Sequence, residues 1–132
     1  MLSAANLTSI SRARLKDAKG LLSKRRFDGA VYLCGYAVEI ALKARIVKTL
    51  KWTGFPETNA EFKNYGSFKT HDLDVLVHLT GWETKIKTAF LAEWSAVKQW
   101  NPELRYGRPG GVTQVEAESM INSAKLIVGV LI

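Results

Sequence analysis

The residues encode an all-α fold, an antiparallel up-and-down bundle of four to five helices in a single domain. Three observations point to it. Apolar residues recur at helical spacing through most of the 132 positions. No stretch alternates apolar and polar residues as a half-buried strand would. Caps and breakers, among them Thr70, Gly81 and Thr113-x-x-Glu116, fall where the periodic stretches begin and end.

The first helix spans about residues 8–24. Ile10, Arg14, Ala18 and Leu21 share a face, Leu15 and Leu22 lie beside it, and Asn6 or the Thr8-Ser9 pair supplies a cap. Asp28 begins or caps a second helix that runs to about Leu50. Phe27, Val31, Cys34, Val38 and Ala41 make one apolar row on it, and Ala30, Leu33, Ala37, Ile40 and Ala44 make another. Two rows require neighbours on more than one side, so this helix is central. Gly35 in mid-helix costs roughly 1 kcal/mol against Ala, which predicts a close helix–helix approach at that point.

Residues 51–69 interrupt the pattern with Gly54, Pro56, Asn59, Asn64 and Gly66. The interspersed Trp52, Phe55, Phe62, Tyr65 and Phe68 predict a long connection that folds back onto the body. A third helix starts at Thr70, with Asp72 in its first turn, and stops at Gly81. A fourth, roughly 84–100, carries Ile86, Phe90, Trp94 and Val97, and Asn101-Pro102 ends it. After the loop Arg105-Tyr-Gly-Arg-Pro-Gly-Gly111, the capping box Thr113-x-x-Glu116 opens a last helix near 114–131. Its apolar positions are Val115, Ile121, Ala124, Ile127, Val128 and Leu131.

Composition narrows the classes of function. The chain is 47% hydrophobic and 23% charged, a soluble globular profile. The apolar run from Leu126 to Ile132 is far short of the roughly 20 residues of a membrane span, and no targeting segment precedes the first helix. Cys34, the single cysteine, sits among apolar neighbours as a small core residue. A cytoplasmic protein without a membrane partner is expected. Net charge is +7 and uneven. Residues 1–51 hold eleven Lys/Arg against three Asp/Glu, whereas residues 52–132 hold eight against nine. Arg12, Arg14, Lys16, Lys19, Lys24, Arg25 and Arg26 concentrate the excess in the first two helices. This surface is either a solvated helix face or an attraction for an anionic partner.

The second helix also carries the most informative polar feature. Tyr32, Tyr36, Glu39 and Lys43, at i, i+4, i+7 and i+11, form one stripe on an otherwise apolar element. Charge on such a helix is costly to bury unless partnered. The stripe is therefore a solvated seam, a subunit contact or a ligand site. Glu39 and Lys43 have the order that favours a helix ion pair, worth about 0.2–0.5 kcal/mol. His71 and His78 lie two turns apart, roughly 10 Å along a helix, so one metal ion cannot take both, and no cofactor is implied. His71 follows the cap Thr70, where a capping or packing role suffices. Arg105-x-x-Arg108-Pro-Gly-Gly111 leads into a helix N-terminus, whose N–H groups suit an anion.

Several of these segments together resemble the HEPN family of small helical bacterial and archaeal domains. The matching residues are Arg14-Leu-x-x-Ala18 with Leu21-Leu22, Phe27-Asp-x-Ala30-x-Tyr32-Leu, and above all Gly35-Tyr-Ala-Val-Glu-x-Ala-Leu-Lys-Ala44. Thr70-His-Asp-Leu73 and Trp100-Asn-Pro-Glu-Leu-Arg-Tyr106 extend the resemblance over nearly the whole chain. It implies a helical bundle that dimerises and is often paired with a small nucleotidyltransferase in toxin–antitoxin or defence modules. Many members are metal-independent RNases that carry an Arg separated from a His by four to six residues. Here the positions at that spacing before His71 are Asn64, Tyr65 and Gly66, and before His78 they are His71, Asp72 and Leu73. The catalytic pair is missing, so no catalytic residue is assigned.

The resulting expectation is a homodimeric, non-catalytic HEPN-like protein that binds a nucleotide or RNA, or a partner that acts on one. Tyr32, Tyr36, Glu39, Lys43, His71, Arg105, Tyr106 and Arg108 are the candidate ligand-binding residues. Lys43 and Arg105 would meet phosphate, Tyr106 would stack on a base, and Glu39 would orient Lys43 or accept from a ribose or base edge. A degenerate RNase using His71 with Arg105, and a purely structural dimerisation module, are the alternatives.

Overall fold

A computed structural model describes residues Met1 to Ile132 and is all-helical apart from one isolated bridge, Leu2 with Phe55. The elements are α1 (Ala4–Ser23), α2 (Phe27–Leu50), α3 (Asn59–Phe62), α4 (Leu73–Leu79), α5 (Glu83–Ala89), α6 (Leu91–Val97) and α7 (Gln114–Leu131). Two 3₁₀ turns, Gly66–Phe68 and Pro102–Tyr106, complete them.

The expected bundle is present, with seven helices where four to five were expected. The long connection winds a single turn as α3, and the expected fourth helix is broken at Phe90 into α5 and α6. Phe90, at φ −130° and ψ 42°, leaves helical geometry there. The bend lets Ile86 before it and Trp94 and Val97 after it all reach the core.

α2 is the hub. Ala30, Cys34, Ala37, Val38, Ala41, Leu42, Ala44 and Ile46 are fully buried on it, with α1, α7 and α4 packed around. Small residues at these positions let neighbouring helices approach closely. On α1 the inner row is Leu7, Ser11, Leu15 and Ala18, one residue round from the expected row through Ile10 and Arg14. Ser11 explains the shift. It is fully buried, and its hydroxyl donates to the Ala37 carbonyl at 2.7 Å, which satisfies it against α2. The cap of α1 is Ser3, whose Oγ accepts from the Asn6 N–H at 3.1 Å, in place of Asn6 or Thr8-Ser9. Cys34 is the small core residue expected. Its thiol lies 3.7 Å from the Met120 carbonyl, and burial pushes it up to about 12, which leaves it a protonated, unreactive thiol.

The connection after α2 folds back as expected. Lys51, at φ 55°, ends α2 in the left-handed conformation. Trp52 then gathers Phe55, Tyr65 and Phe68 at centroid distances of 6.4, 5.1 and 4.9 Å. Asp72, rather than Thr70, caps α4. Its Oδ1 accepts from the Asp74 and Val75 N–H groups, and Thr70 Oγ1 accepts from the Asp72 N–H at 3.0 Å. Gly81, at φ 74°, turns the chain where a stop was expected. The capping box of α7 forms in full, although Val115 at its start is exposed.

Gly35 does mark a close approach, but to an indole rather than a helix. The Trp100 ring lies on it, and an added Cβ would overlap the ring. The Trp100 Nε1–H donates to the Tyr32 carbonyl at 3.0 Å, which locks the ring in place. Gly35→Ala is therefore expected to lower stability by about 1–3 kcal/mol through overpacking. Gly20→Ala on the open face of α1, where nothing lies within 4 Å of the new Cβ, should raise it by about 0.5–1 kcal/mol. Urea midpoints of the two variants check both signs.

Candidate functional site

Glu39 is the anchor of the site. It lies in the middle of α2 and is only 3% exposed. An isolated carboxylate there costs several kcal/mol, so both oxygens need partners. Oε2 accepts from Lys43 Nζ at 3.1 Å, one turn along, and Oε1 meets His71 Nδ1 at 2.7 Å. His71 reaches it because Thr70 and Asp72 fix the entry to α4, and α4 docks through the buried Leu73, Leu76 and Val77. Facing a carboxylate, Nδ1 is the nitrogen that carries hydrogen. Nε2 is then the free nitrogen on a side chain that is 58% exposed. His71 thus does more than cap or pack.

The aromatic part of the stripe continues from His71. Tyr36 packs edge-on against His71 at 6.5 Å, Trp100 at 4.8 Å and Tyr32 at 5.3 Å between centroids. Burial, and after it the neighbouring Tyr32 hydroxyl, push the Tyr36 phenol up to about 12. Tyr36 is accordingly a neutral hydroxyl at physiological pH.

Trp100 also places the second part of the site. Its seat on Gly35 brings the Pro102–Tyr106 turn alongside the start of the stripe. The neighbouring Tyr106 and Tyr32 hydroxyls push Arg105 further above its usual range, so it stays cationic at any working pH. Its guanidinium carbon lies 4.8 Å from the Tyr106 ring centroid, and Tyr106 itself is 74% exposed. The candidates therefore form one continuous row: Tyr106, Arg105, Tyr32, Tyr36, His71, Glu39 and Lys43. From Tyr32 to Lys43 it runs roughly 16 Å along α2.

Arg108 does not join the row, for its guanidinium enters none of these hydrogen bonds or ion pairs. The loop that carries it is tied elsewhere. Asp28 Oδ2 accepts from the Gly110 N–H at 2.6 Å and Oδ1 from the Val112 N–H at 3.1 Å. The Thr113 N–H is taken by Glu116 at 3.3 Å. The expected anion position before α7 is thus filled by a carboxylate of the chain itself. Asp28 does lie at the beginning of α2, in its first turn, but its carboxylate pins this loop instead of capping the helix. His71 and His78 serve separate acids, since His78 Nδ1 lies 3.2 Å from Glu83 Oε1.

Beyond His71 the row borders a cleft of about 500 Å³ between α2 and the 55–71 segment. Phe62, Lys69 and Thr70 line it, and sequence reasoning passed over all three as functional residues. Their only signal was an aromatic-rich connection with isolated lysines, which also describes an ordinary loop. Compared with known proteins, the chain matches no family model, no curated protein and no solved structure.

The raised Tyr36 predicts a specific alkaline behaviour. A phenol held neutral in the fold contributes stability that is intact below its ordinary 10.0 and is lost as pH rises through about 12. Between those values Tyr36→Phe is expected to lose less stability than the wild type. Urea unfolding at a series of alkaline pH values checks it.

Proposed function

We propose that this chain is a non-catalytic, HEPN-like domain that works as a homodimer in the cytoplasm and binds nucleotide or RNA. In this reading it acts with a nucleotidyltransferase-type partner in a toxin–antitoxin or defence module. The observation that carries it is the convergence of Tyr32, Tyr36, Glu39, Lys43, His71, Arg105 and Tyr106 from three chain segments onto one row. The row offers what single-stranded nucleic acid needs: fixed cations for phosphate and an exposed ring for a base. Arg105 and His71 reach phosphate, Tyr106 stacks, and Glu39 sets the positions of His71 and Lys43. The concentration of positive charge in residues 1–51 adds long-range attraction for the same ligands. The buried thiol of Cys34 suits a reducing compartment.

The Glu39–His71 pair favours a second reading, a degenerate metal-independent RNase. A carboxylate that orients an imidazole is the arrangement of a general base. Neutral His71 Nε2 would take the proton from a ribose 2′-hydroxyl as its oxygen attacks the adjacent phosphorus. The 5′-oxygen would leave with a proton from water, giving a 2′,3′-cyclic phosphate, while Arg105 offsets the charge on phosphorus.

Anisotropy titrations with labelled single-stranded RNA over a salt series test the first reading. Arg105→Ala is expected to weaken binding about tenfold, the loss of a charge-assisted hydrogen bond, and to lower the salt slope by about 0.7. Identical binding by wild type and variant would remove the row from the site. Incubating the same RNA with wild type and His71→Ala decides the second reading, because equal background cleavage ends it.

A further inference from the structure

We infer that the outer face of α1 is a docking surface for double-stranded DNA, held through the phosphates of one strand without regard to base sequence. It shares no residue with the row on α2. α1 packs on α2 and α7 through Leu7, Ser11, Leu15 and Ala18, and the side turned away from them is exposed. Arg12, Lys16 and Lys19, at i, i+4 and i+7, stand together on one exposed flank of it. Lys24, Arg25 and Arg26 follow at the turn into α2, all exposed.

The charge on this face is uncompensated. Asp17 is the only acid on α1, and Arg14 takes it at 3.4 Å. Arg12, Lys16, Lys19, Lys24 and Arg26 pair with no carboxylate. Arg25 meets only neutral groups, the Gln114 Oε1 at 3.4 Å and the Phe27 ring at 5.5 Å to its centroid. Arg12 and Lys16 are a like-charge pair one turn apart, which weakens an isolated helix. Helix stability therefore does not explain the pattern, and an anionic partner does.

The rest of the face selects among anions. Residues 4–26 include no aromatic ring, so the bases of a single strand have no platform to stack on. Their exposed positions carry nothing apolar larger than alanine, so a protein partner lacks the apolar centre that anchors such interfaces. A duplex hides its bases and presents phosphate, and binding without sequence preference needs nothing more. From Arg12 to Lys19 the helix advances roughly 10 Å, the length of about three phosphates of one strand. A helix fits the B-form major groove, about 12 Å wide, whereas the major groove of duplex RNA is too narrow.

Anisotropy titrations over a salt series test this, with two short labelled DNA duplexes of unrelated sequence and an RNA duplex. The two DNA duplexes are expected to bind equally, and more tightly than the RNA duplex. The salt slope should be about 2.7 for three phosphates, and Lys16→Ala with Lys19→Ala should lower it by about 1.8. The same double variant should weaken DNA about tenfold or more at physiological salt. Both lysines are exposed and alanine suits a helix, so the variant keeps the fold. Arg105→Ala should leave duplex binding unchanged, so the result is independent of the row and its single-stranded ligand. A double variant that binds DNA as the wild type does overturns the inference. So does a preference for one of the two sequences, or an RNA duplex held as tightly as DNA. Absence of duplex binding overturns it as well, and a polyglutamate peptide captured through the same lysines would then place an acidic protein on this face.

Discussion

A single carboxylate, buried in the middle of the central helix, governs how the rest of this molecule is arranged. Glu39 is almost sealed from water, and its two oxygens take two different partners. Lys43 comes from its own helix and would be near in any helical conformation. His71 comes from 32 residues further along and is near only if the 51–71 segment folds back and α4 docks. Satisfying the carboxylate therefore selects one path for the connection. The aromatic cluster around Trp52 and the Leu2–Phe55 bridge stabilise that same path. Local packing and electrostatics agree, which is the consistency that makes one structure preferred.

The other end of the row depends on an absence of side chain. Gly35 admits the Trp100 ring, the ring bonds to the Tyr32 carbonyl, and the turn that follows carries Arg105 to Tyr32. Asp28 then fastens the next loop by two N–H groups. Two local devices on α2, a missing Cβ and a carboxylate, so position residues more than 60 places away in sequence.

The sequence made much of this legible, and the omissions have physical reasons. The extent of α2, the polar stripe and the capping box at Thr113 follow from local chemistry that no tertiary contact overrides, and a close approach at Gly35 was legible too, though not that the Trp100 indole rather than a helix makes it. The break at Phe90 was hidden because an apolar residue at helical spacing reads as continuous helix. The inner row of α1 was displaced by one because periodicity counts Ser11 as polar, and only the Ala37 carbonyl makes its burial tolerable. Arg108 was assigned to the site because a basic, glycine-rich loop before a helix looks open to anions. Spacing has no means of revealing that Asp28, more than 80 residues away, already occupies those N–H groups. The Lys69 and Phe62 side of the cleft escaped notice for the same reason. Its character arises from segments joined by folding.

Stability alone does not account for Glu39. Replacing a buried ion pair by apolar residues of similar volume is commonly neutral or stabilising, so such a pair is weak evidence of a stabilising role. A leucine at this position would extend the apolar rows of α2 and remove any need to bring His71 inward. What the carboxylate supplies instead is position. It fixes which imidazole nitrogen faces the protein, and it holds Lys43 back along the helix toward Phe55. With its partners it also keeps the local charge only modestly positive, so an incoming anion meets cations already set in place. Side chains ordered before a ligand arrives lose less freedom on binding. Under the proposed reading that gain is realised when nucleotide or RNA binds, and the order of the row is what such a ligand would meet.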